Sequence, residues 1–193
     1  GPDPVTTPAL LDLLAVHRLQ ATFFVTGRRA AEYPHLVRAI LDGGHEVGNH
    51  SFHHNRYRMF WQPNLLANEV AATQRALAPA GIVPLAFRPP VGITTPAMGR
   101  VLAGLDLFTV NFSCRALDGG NRRINRLAEK ILSRIKSGDI VLLHDASPGR
   151  GQDVARWLRE IETIFQGLSG KGLTAVPLSR LIGRPVMHRE DES

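Results

Sequence analysis

The feature that most constrains the fold is a regular alternation of short apolar runs with longer amphipathic segments along nearly the whole chain. The short runs are rich in β-branched and aromatic residues, which predicts strands, whereas the longer segments repeat their apolar residues every three to four positions, which predicts helices. The predicted strands are 21–25, 45–49, 85–87, 107–113, 140–143 and 173–176. Strands and helices that alternate at this spacing indicate an α/β fold with a parallel sheet, either a barrel or a doubly wound sheet.

The helices are predicted from apolar stripes and from the residues that end them. In the first long segment Leu36, Val37, Ile40 and Leu41 share one face, and the glycines at 43–44 end the helix. The predicted helices are one that starts after 6–7, then 28–41, 64–80, 95–103, 121–137 and 152–168, and a short one from 178. No linker or repeat interrupts this pattern, so we expect one domain, 1–183, followed by a polar tail, 184–193.

Composition narrows the class of protein. The chain is 44% hydrophobic and 21% charged, which is typical of a globular domain. Its single cysteine, Cys114, excludes an intrachain disulfide and a cysteine-based zinc site, and no apolar run reaches the roughly 18 residues of a transmembrane helix. A net charge of +6 suits an anionic partner, but the arginines are scattered and form no basic helix, so we expect no nucleic acid partner. Nothing in the pattern specifies an oligomeric state.

Polar side chains follow four of the predicted strands near the point where each strand ends. His50 follows the second strand, Arg88 the third and His144 the fifth, and Asp118 lies a few residues after the fourth. The carboxyl ends of parallel strands meet at one edge of a sheet or barrel, where ligands bind. The sequence therefore predicts one functional rim.

The segment from His50 to His54 contains three histidines, a residue type whose neutral imidazole is a common ligand of zinc. Both His53 and His54 are spaced to share a face with His50, so spacing does not decide which of the two would be the second ligand. A complete site would need a further ligand, usually a carboxylate. On local sequence alone a metal site and a plain polar loop are equally consistent.

The other three rim residues have side chains that suit catalysis. His144 leaves a buried strand and suits a general acid or base, although a histidine bonded to a backbone carbonyl would give the same pattern. Arg88 lies between an aromatic residue and two prolines and can pair a carboxylate bidentately. Asp118, before two glycines, is by itself typical of a turn.

In order and spacing, these segments resemble the motifs of the NodB-homology polysaccharide deacetylases, carbohydrate esterase family four, over essentially the whole chain. The start of the chain, Gly-Pro-Asp-Pro, resembles the end of the family's first motif, Thr-Phe-Asp-Asp-Gly-Pro. The remaining matches are His50, Ser51 and His54 to the second motif, Arg88, Pro90 and Gly92 to the third, Asp118 to the second aspartate of the fourth, and Leu142 and His144 to the fifth.

The resemblance implies a distorted (β/α)7-type barrel and the removal of N-acetyl groups from an amino-sugar polymer such as chitin or peptidoglycan. It implies a divalent metal, zinc by expectation with cobalt or nickel as substitutes, held by one aspartate together with His50 and His54. His144 would protonate the leaving amine, Asp118 would favour the charged form of His144, and Arg88 would orient a catalytic aspartate.

On the substrate side, the resemblance implies that the backbone N–H near Val91 holds the oxyanion, that Pro90 belongs to the same substrate-binding turn, and that Leu142 faces the acetyl methyl group. The chain departs from the family at three positions, because Val91 replaces an aromatic residue, Arg115 an aspartate and Gly119 a tryptophan. These departures indicate a variant branch and leave open another C–N substrate, such as a formamido-sugar or a cyclic imide.

The aspartate pair of the family's first motif would precede Gly1. We therefore expect a barrel that lacks its first strand and a chain that is inactive as it stands, with an inactive glycan-binding module as the alternative to an enzyme. Family members act on cell-envelope glycans, so a location in the envelope or outside the cell is expected, and an export signal would also precede Gly1.

Overall fold

A computed structural model describes residues 1–55, 57–148 and 153–189, and it confirms an α/β fold. The strands are β1 (Thr22–Val25), β2 (Glu46–Asn49), β3 (Ile82–Pro84), β4 (Ala86–Phe87), β5 (Phe108–Thr109), β6 (Cys114–Arg115), β7 (Val141–Leu142) and β8 (Met187–Arg189). The helices are α1 (Thr6–Val16), α2 (Gly27–Glu32), α3 (Pro34–Asp42), α4 (Arg58–Trp61), α5 (Pro63–Leu77), α6 (Pro96–Ala103), α7 (Leu127–Leu132), α8 (Val154–Gly170) and α9 (Leu178–Ile182). None of these helices is long and apolar enough to cross a membrane.

The sheets place the carboxyl ends of the parallel strands at one rim. A four-stranded sheet has the order β1-β2-β4-β5 with all neighbours parallel, and β6 pairs with β7, also in parallel. In the register of the larger sheet Val25 lies opposite Asn49, and Asn49 lies opposite Phe87. The residues that follow these positions, His50 and Arg88, therefore leave the sheet side by side. Among the described residues, β1 pairs with one strand, β2, and β7 pairs with one strand, β6.

Buried helix faces fix these strands. On α8 Trp157, Ile161, Ile164 and Leu168 are buried at a spacing of three to four residues, and they pack against the apolar face of α7. Leu36, Val37, Ile40 and Leu41 of α3 are buried as the sequence predicts. Burial of side chains this large contributes roughly 1.5–3 kcal/mol each, so the two layers hold the rim in place.

Some predicted elements are shorter or divided. The helix predicted over 28–41 is two helices, because Pro34 has no N–H to continue α2 and instead begins α3. The helix predicted over 121–137 narrows to α7, which Arg126 precedes in the left-handed region at φ 57°. The strand predicted over 107–113 narrows to β5. Residues 173–176 belong to no strand of the described sheets.

The segment that the sequence assigns to a polar tail is partly ordered in the sheet. Val186 is buried, and its carbonyl accepts hydrogen bonds from the N–H groups of Leu85 and Ala86. The next residues form β8, which pairs antiparallel with β3. The unpaired backbone groups of β3 thus explain why 187–189 form a strand. Residues 190–193 lie outside the described residues, as does residue 152 of the helix predicted over 152–168, which is first described as helix at Val154.

Candidate active site

A cavity of about 990 Å³ opens at the rim and brings the predicted site residues together. The residues from the predicted set that line it are His50, His54, Arg88, Val91, Asp118, Leu142 and His144. Pro90 differs, because it is buried in the 3₁₀ turn Pro90–Gly92 and does not line the cavity, whereas its neighbour Pro89 does. Pro90 is therefore part of the predicted turn but not of the cavity wall, and its part in substrate binding stays a prediction.

His50 is held as a neutral ring with one nitrogen available. Its Nδ1 lies 2.6 Å from the carbonyl oxygen of Arg88, and because a carbonyl only accepts, Nδ1 must carry the hydrogen. Nε2 is then an unprotonated lone pair, the form that binds metals. Burial, with His54 nearby, lowers the pKa of His50 from 6.5 to about 3, so the ring stays neutral at ordinary pH.

His54 lies beside His50, with 4.8 Å between the ring centroids. The loop makes a tight return, with Ser51 at φ 64° and His54 at φ 56°. Ser51 fixes that return because its Oγ accepts from the His54 N–H at 3.2 Å and its own N–H donates to Asn49 Oδ1 at 3.0 Å. The serine of the motif is thus a structural residue that sets the spacing of the two imidazoles.

Glu69, on α5, holds the loop 50–54 by hydrogen bonds and is a site residue that the sequence did not predict. Its Oε2 accepts from the N–H groups of Phe52 at 3.0 Å and His53 at 2.8 Å, and its Oε1 lies 2.7 Å from His53 Nδ1. The side chain of His53 is 63% exposed, whereas that of Glu69 is 8% exposed. The signal in the sequence was a carboxylate within the apolar stripe of a helix, where a buried charge needs partners.

The two imidazoles fit part of a metal site. His50 has the tautomer of a nitrogen ligand, fixed by a backbone carbonyl in the way that outer hydrogen bonds fix metal-bound histidines. Across the described ranges no group of three or more His, Cys, Asp or Glu residues is placed to hold a metal ion. The described residues therefore provide two nitrogen ligands and no third protein ligand.

Arg88 places a buried positive charge beside His50. Its guanidinium donates to the carbonyl oxygens of Val110 at 3.4 Å and Asn111 at 3.3 Å, and it stacks 4.1 Å above the ring of Phe24. Burial lowers the pKa of Arg88 to about 10, so the group remains charged at neutral pH. No carboxylate of the described residues lies within 4.0 Å of it. A buried charge without a counterion is costly, so this position favours an anion in the cavity.

His144 and Asp118 form an imidazole–carboxylate pair, with 2.8 Å between His144 Nδ1 and Asp118 Oδ2. Burial alone would raise the pKa of Asp118, but hydrogen bonds from His144 and from backbone N–H groups outweigh it and lower the pKa. The group is therefore a carboxylate, and it orients His144 with Nε2 left for the cavity. This arrangement suits a proton donor.

Asn121 joins the two loops that carry this pair and was also missed. Its side chain is fully buried, and Nδ2 donates to the carbonyls of His144 at 2.8 Å and Ala146 at 2.7 Å. Its own N–H donates to Asp118 Oδ2 at 3.2 Å. In the sequence Asn121 follows two glycines, which indicates a turn and nothing more.

Asp3 has a structural role. Its Oδ1 accepts from the N–H groups of Val5 and Thr6 and from Ser147 Oγ, and its Oδ2 pairs with Arg29 at 2.9 Å. Burial raises its pKa, but these hydrogen bonds reverse the effect and the net direction is down. Asp3 therefore secures the start of α1 and does not line the cavity.

The turn that would hold an oxyanion is tightly fixed. Val91 lies in the left-handed region at φ 58°, and Gly92 follows at φ 72°. A Cβ on Gly92 would lie 2.8 Å from atoms of Asn111 and Phe112, so a glycine is required there. Phe112 in turn carries the guanidinium of Arg115 at 5.2 Å from its ring centroid, and Arg115 also lines the cavity.

Comparisons with known proteins agree on one family. A sequence profile described as polysaccharide deacetylase matches residues 1–110. The chain is 34% identical to a peptidoglycan-N-acetylglucosamine deacetylase of Bacillus cereus over 94% of this chain and 84% of the relative, and 33% identical to a chitooligosaccharide deacetylase of Bradyrhizobium over 94% and 86%. The solved structure of a family 4 carbohydrate esterase from Streptomyces lividans, in complex with acetate, superposes with a TM-score of 0.78 at 35% identity and covers 91% of this chain and 86% of its own.

Proposed function

Because this chain belongs to the polysaccharide deacetylase family, as its motifs indicate, we propose that it hydrolyses the N-acetyl groups of an amino-sugar glycan of the chitin or peptidoglycan type. The observation that carries the proposal is that two adjacent histidines, of which His50 is held neutral, and an imidazole–carboxylate pair line one cavity. Amide hydrolysis needs these two kinds of group, one to bind a Lewis acid and one to move a proton. Such a substrate implies action at the cell envelope or outside the cell.

The histidine pair would hold a divalent metal, for which we propose zinc, with cobalt or nickel as substitutes. When bound, the metal supplies a Lewis acid and lowers the pKa of a bound water. His50 would bind through Nε2, since its Nδ1 is committed to the carbonyl of Arg88. Arg88 would hold a carboxylate base, because its guanidinium makes no ion pair with a carboxylate of the described residues.

His144 would donate a proton to the leaving amine from Nε2. The carboxylate of Asp118 accepts a hydrogen bond from Nδ1 and so orients the ring with Nε2 left for the cavity, which fixes the direction of transfer. The N–H of Val91 would stabilise the oxyanion, because the turn around it is rigid and faces the cavity. Leu142 would contact the acetyl methyl group.

The test is acetate release from N-acetylglucosamine oligomers by the zinc- or cobalt-loaded protein. It is run on the chain itself and on a version extended before Gly1 by a strand that ends in the family's aspartate pair, because Gly1 lines the cavity and an extension there would enter it. We expect acetate from the extended protein and at least about a 100-fold loss with His144→Gln. If the extended, metal-loaded protein releases no acetate from any amino-sugar oligomer, the proposal is wrong.

One observation favours a second candidate, an inactive glycan-binding module. The described residues provide no third metal ligand, so binding without turnover is physically consistent. Sedimentation with insoluble chitin and peptidoglycan, with and without a chelator, separates the two functions. Binding that ignores the chelator, together with no acetate from the extended protein, would favour the module.

Two positions near the turn differ from the family pattern, so other C–N substrates should be assayed as well. Arg115 lines the cavity, and Val91 presents an aliphatic side chain, 39% exposed, where the family has an aromatic ring. A formamido-sugar and a cyclic imide assayed beside the acetylated oligomer test whether the scissile C–N bond is the expected one. Faster turnover of either would reassign the substrate and leave the proposed metal and acid roles intact.

A further inference from the structure

A second cavity, of about 580 Å³, lies at the opposite end of the strands from the candidate active site. Gln20, which lines it, lies just before β1, whose carboxyl end leads to the active site. A four-residue strand spans roughly 13 Å, so His45, Arg18 and Arg180 lie about one strand length from the rim, although the two cavities share Leu19, Gln20, Thr174, Ala175 and Val176 in their linings. The polar side chains that line the second cavity are Asp12, Arg18, Gln20, His45, Thr174 and Arg180.

His45 is a buried residue that presents an N–H donor to this cavity. The residue is 4% exposed, and its Nδ1 accepts a hydrogen bond from the N–H of Ala21 at 3.2 Å. Nε2 must therefore carry the hydrogen, and no hydrogen-bond partner for it is found within the described residues. Burial lowers the pKa of His45, which keeps this ring a neutral donor. A Cβ on Gly43 would lie 3.0 Å from Nε2, so the glycine leaves the approach to that nitrogen open.

Arg18 occupies a position at which glycine is favoured. It follows the end of α1 at φ 52°, where the N–H of Leu19 bonds to Leu14 O at 2.9 Å and its own N–H bonds to Ala15 O at 3.0 Å. This is the Schellman arrangement, in which a left-handed glycine normally ends the helix. An arginine there carries backbone strain that a glycine would not, and in exchange it adds a positively charged residue to the lining of the cavity.

The charges of the cavity are unbalanced. Neither Arg18 nor Arg180 makes an ion pair with a carboxylate of the described residues. Asp12 is the carboxylate among the lining residues, so two guanidinium groups and one imidazole N–H face one negative charge. Guanidinium groups present paired donors that match the oxygens of a phosphate, and the neutral N–H of His45 adds a further donor.

We propose that this cavity is a phosphate-binding site, in which Arg18, Arg180 and the Nε2–H of His45 bind a phosphate monoester or diester. The site goes beyond the proposed deacetylation, because it uses none of the residues of the rim. Its ligand is either a small phosphorylated molecule or the phosphodiester of an anionic polymer, and the two present the same oxygens to the same donors.

The test is a calorimetric titration of the protein with inorganic phosphate and, separately, with a glycerol phosphodiester, at fixed ionic strength. The decisive variant is Arg18→Gly, which removes the guanidinium while it relieves the left-handed strain, so the protein is expected to fold at least as stably. Arg126→Gly is the matched control, because Arg126 is also a left-handed arginine, at φ 57°, but lies outside this cavity.

We expect saturable binding that Arg18→Gly and Arg180→Gln each weaken about tenfold and that Arg126→Gly leaves unchanged, since one charge-assisted hydrogen bond is worth about that factor. Tighter binding of the diester than of inorganic phosphate would identify a polymer as the source, and the reverse would identify a small molecule. Equal weakening by Arg126→Gly, or no saturable binding of either probe, would overturn the proposal. The titration measures phosphate binding and not acetate release. A failure of the phosphate proposal is therefore distinguishable from a failure of the proposed deacetylation.

Discussion

The rim contains two histidine centres that differ in one partner. In the first, His50 Nδ1 donates to a backbone carbonyl, and burial keeps the ring neutral. In the second, His144 Nδ1 faces the carboxylate of Asp118. A carbonyl fixes the tautomer without attracting a proton, whereas a carboxylate favours the imidazolium. The same residue type thus has the surroundings that suit the proposed metal ligand on one side of the cavity and the proposed proton donor on the other.

The two centres also differ in how they are supported. Glu69 holds the loop of His50 by accepting two backbone N–H groups, whereas Asn121 holds the loop of His144 by donating to two backbone carbonyls. Each support satisfies the backbone groups that a strand leaves behind when it ends at the rim. In each centre the loop that carries the histidine is held by a side chain outside the proposed catalytic set.

The largest expected effects come from separating metal binding and proton transfer by mutation. His50→Ala is expected to weaken cobalt binding by more than about 100-fold, because it removes a direct ligand, whereas His144→Ala should leave cobalt affinity nearly unchanged. Visible absorption of the cobalt-loaded protein measures both. Equal losses of cobalt affinity in the two variants would show that the centres are one site and would break the comparison.

Asp118→Asn tests whether the carboxylate makes His144 a proton donor. The variant keeps the size of the side chain but loses the charge that stabilises the imidazolium, so acetate release by the extended protein should fall by about 10²-fold or more. Cobalt affinity and the free energy of unfolding are the controls, and the first should not change. Unaltered turnover would remove His144 from the proposed role of acid.

Substitutions at Glu69 and Asn121, which hold the two loops, should lower the free energy of unfolding and not only the activity. Glu69→Ala leaves the N–H groups of Phe52 and His53 without their acceptor, which should cost about 3 kcal/mol of unfolding free energy for two charge-assisted bonds. Glu69→Gln keeps one oxygen for both N–H groups and should cost only about 1 kcal/mol. Asn121→Ala leaves two carbonyls unpaired and should cost about 2 kcal/mol. Urea unfolding measures all three, and a Gln variant as unstable as the Ala variant would contradict the assigned role of Glu69.

Much of this rim could be predicted from the sequence, because strand periodicity shows where each strand ends and His50, Arg88 and His144 follow directly. The choice of His54 over His53 could not be derived from spacing, since it depends on the left-handed backbone at Ser51 and His54. Glu69 and Asn121 were missed for a related reason, because their partners are backbone groups distant in the chain. Pro90 lies in the predicted turn, but the sequence does not show that the turn buries it while its neighbours face the cavity.

The most gradual expected effects lie in the pH dependence of stability, where the two centres should respond in different ranges. Burial lowers the pKa of His50 from 6.5 to about 3, so in the metal-free protein the unfolded chain takes up a proton first and stability falls as the pH falls from 6.5 towards 3. Asp118 has its pKa lowered below 3.8, so the stability it contributes is complete above that pH and is lost as the pH falls through the lowered value.

The slope from a single group is at most about 1.4 kcal/mol per pH unit. The free energy of unfolding, measured from pH 7 to pH 2.5, should therefore depend less on pH in the upper part of this range for His50→Ala and in the lower part for Asp118→Asn. Because the two ranges hardly overlap, each variant is the control for the other. A His50→Ala curve that matches the unmodified protein above pH 4 would mean that His50 is not held neutral by the fold, and the contrast between the two histidine centres would then rest on the carboxylate of Asp118 alone.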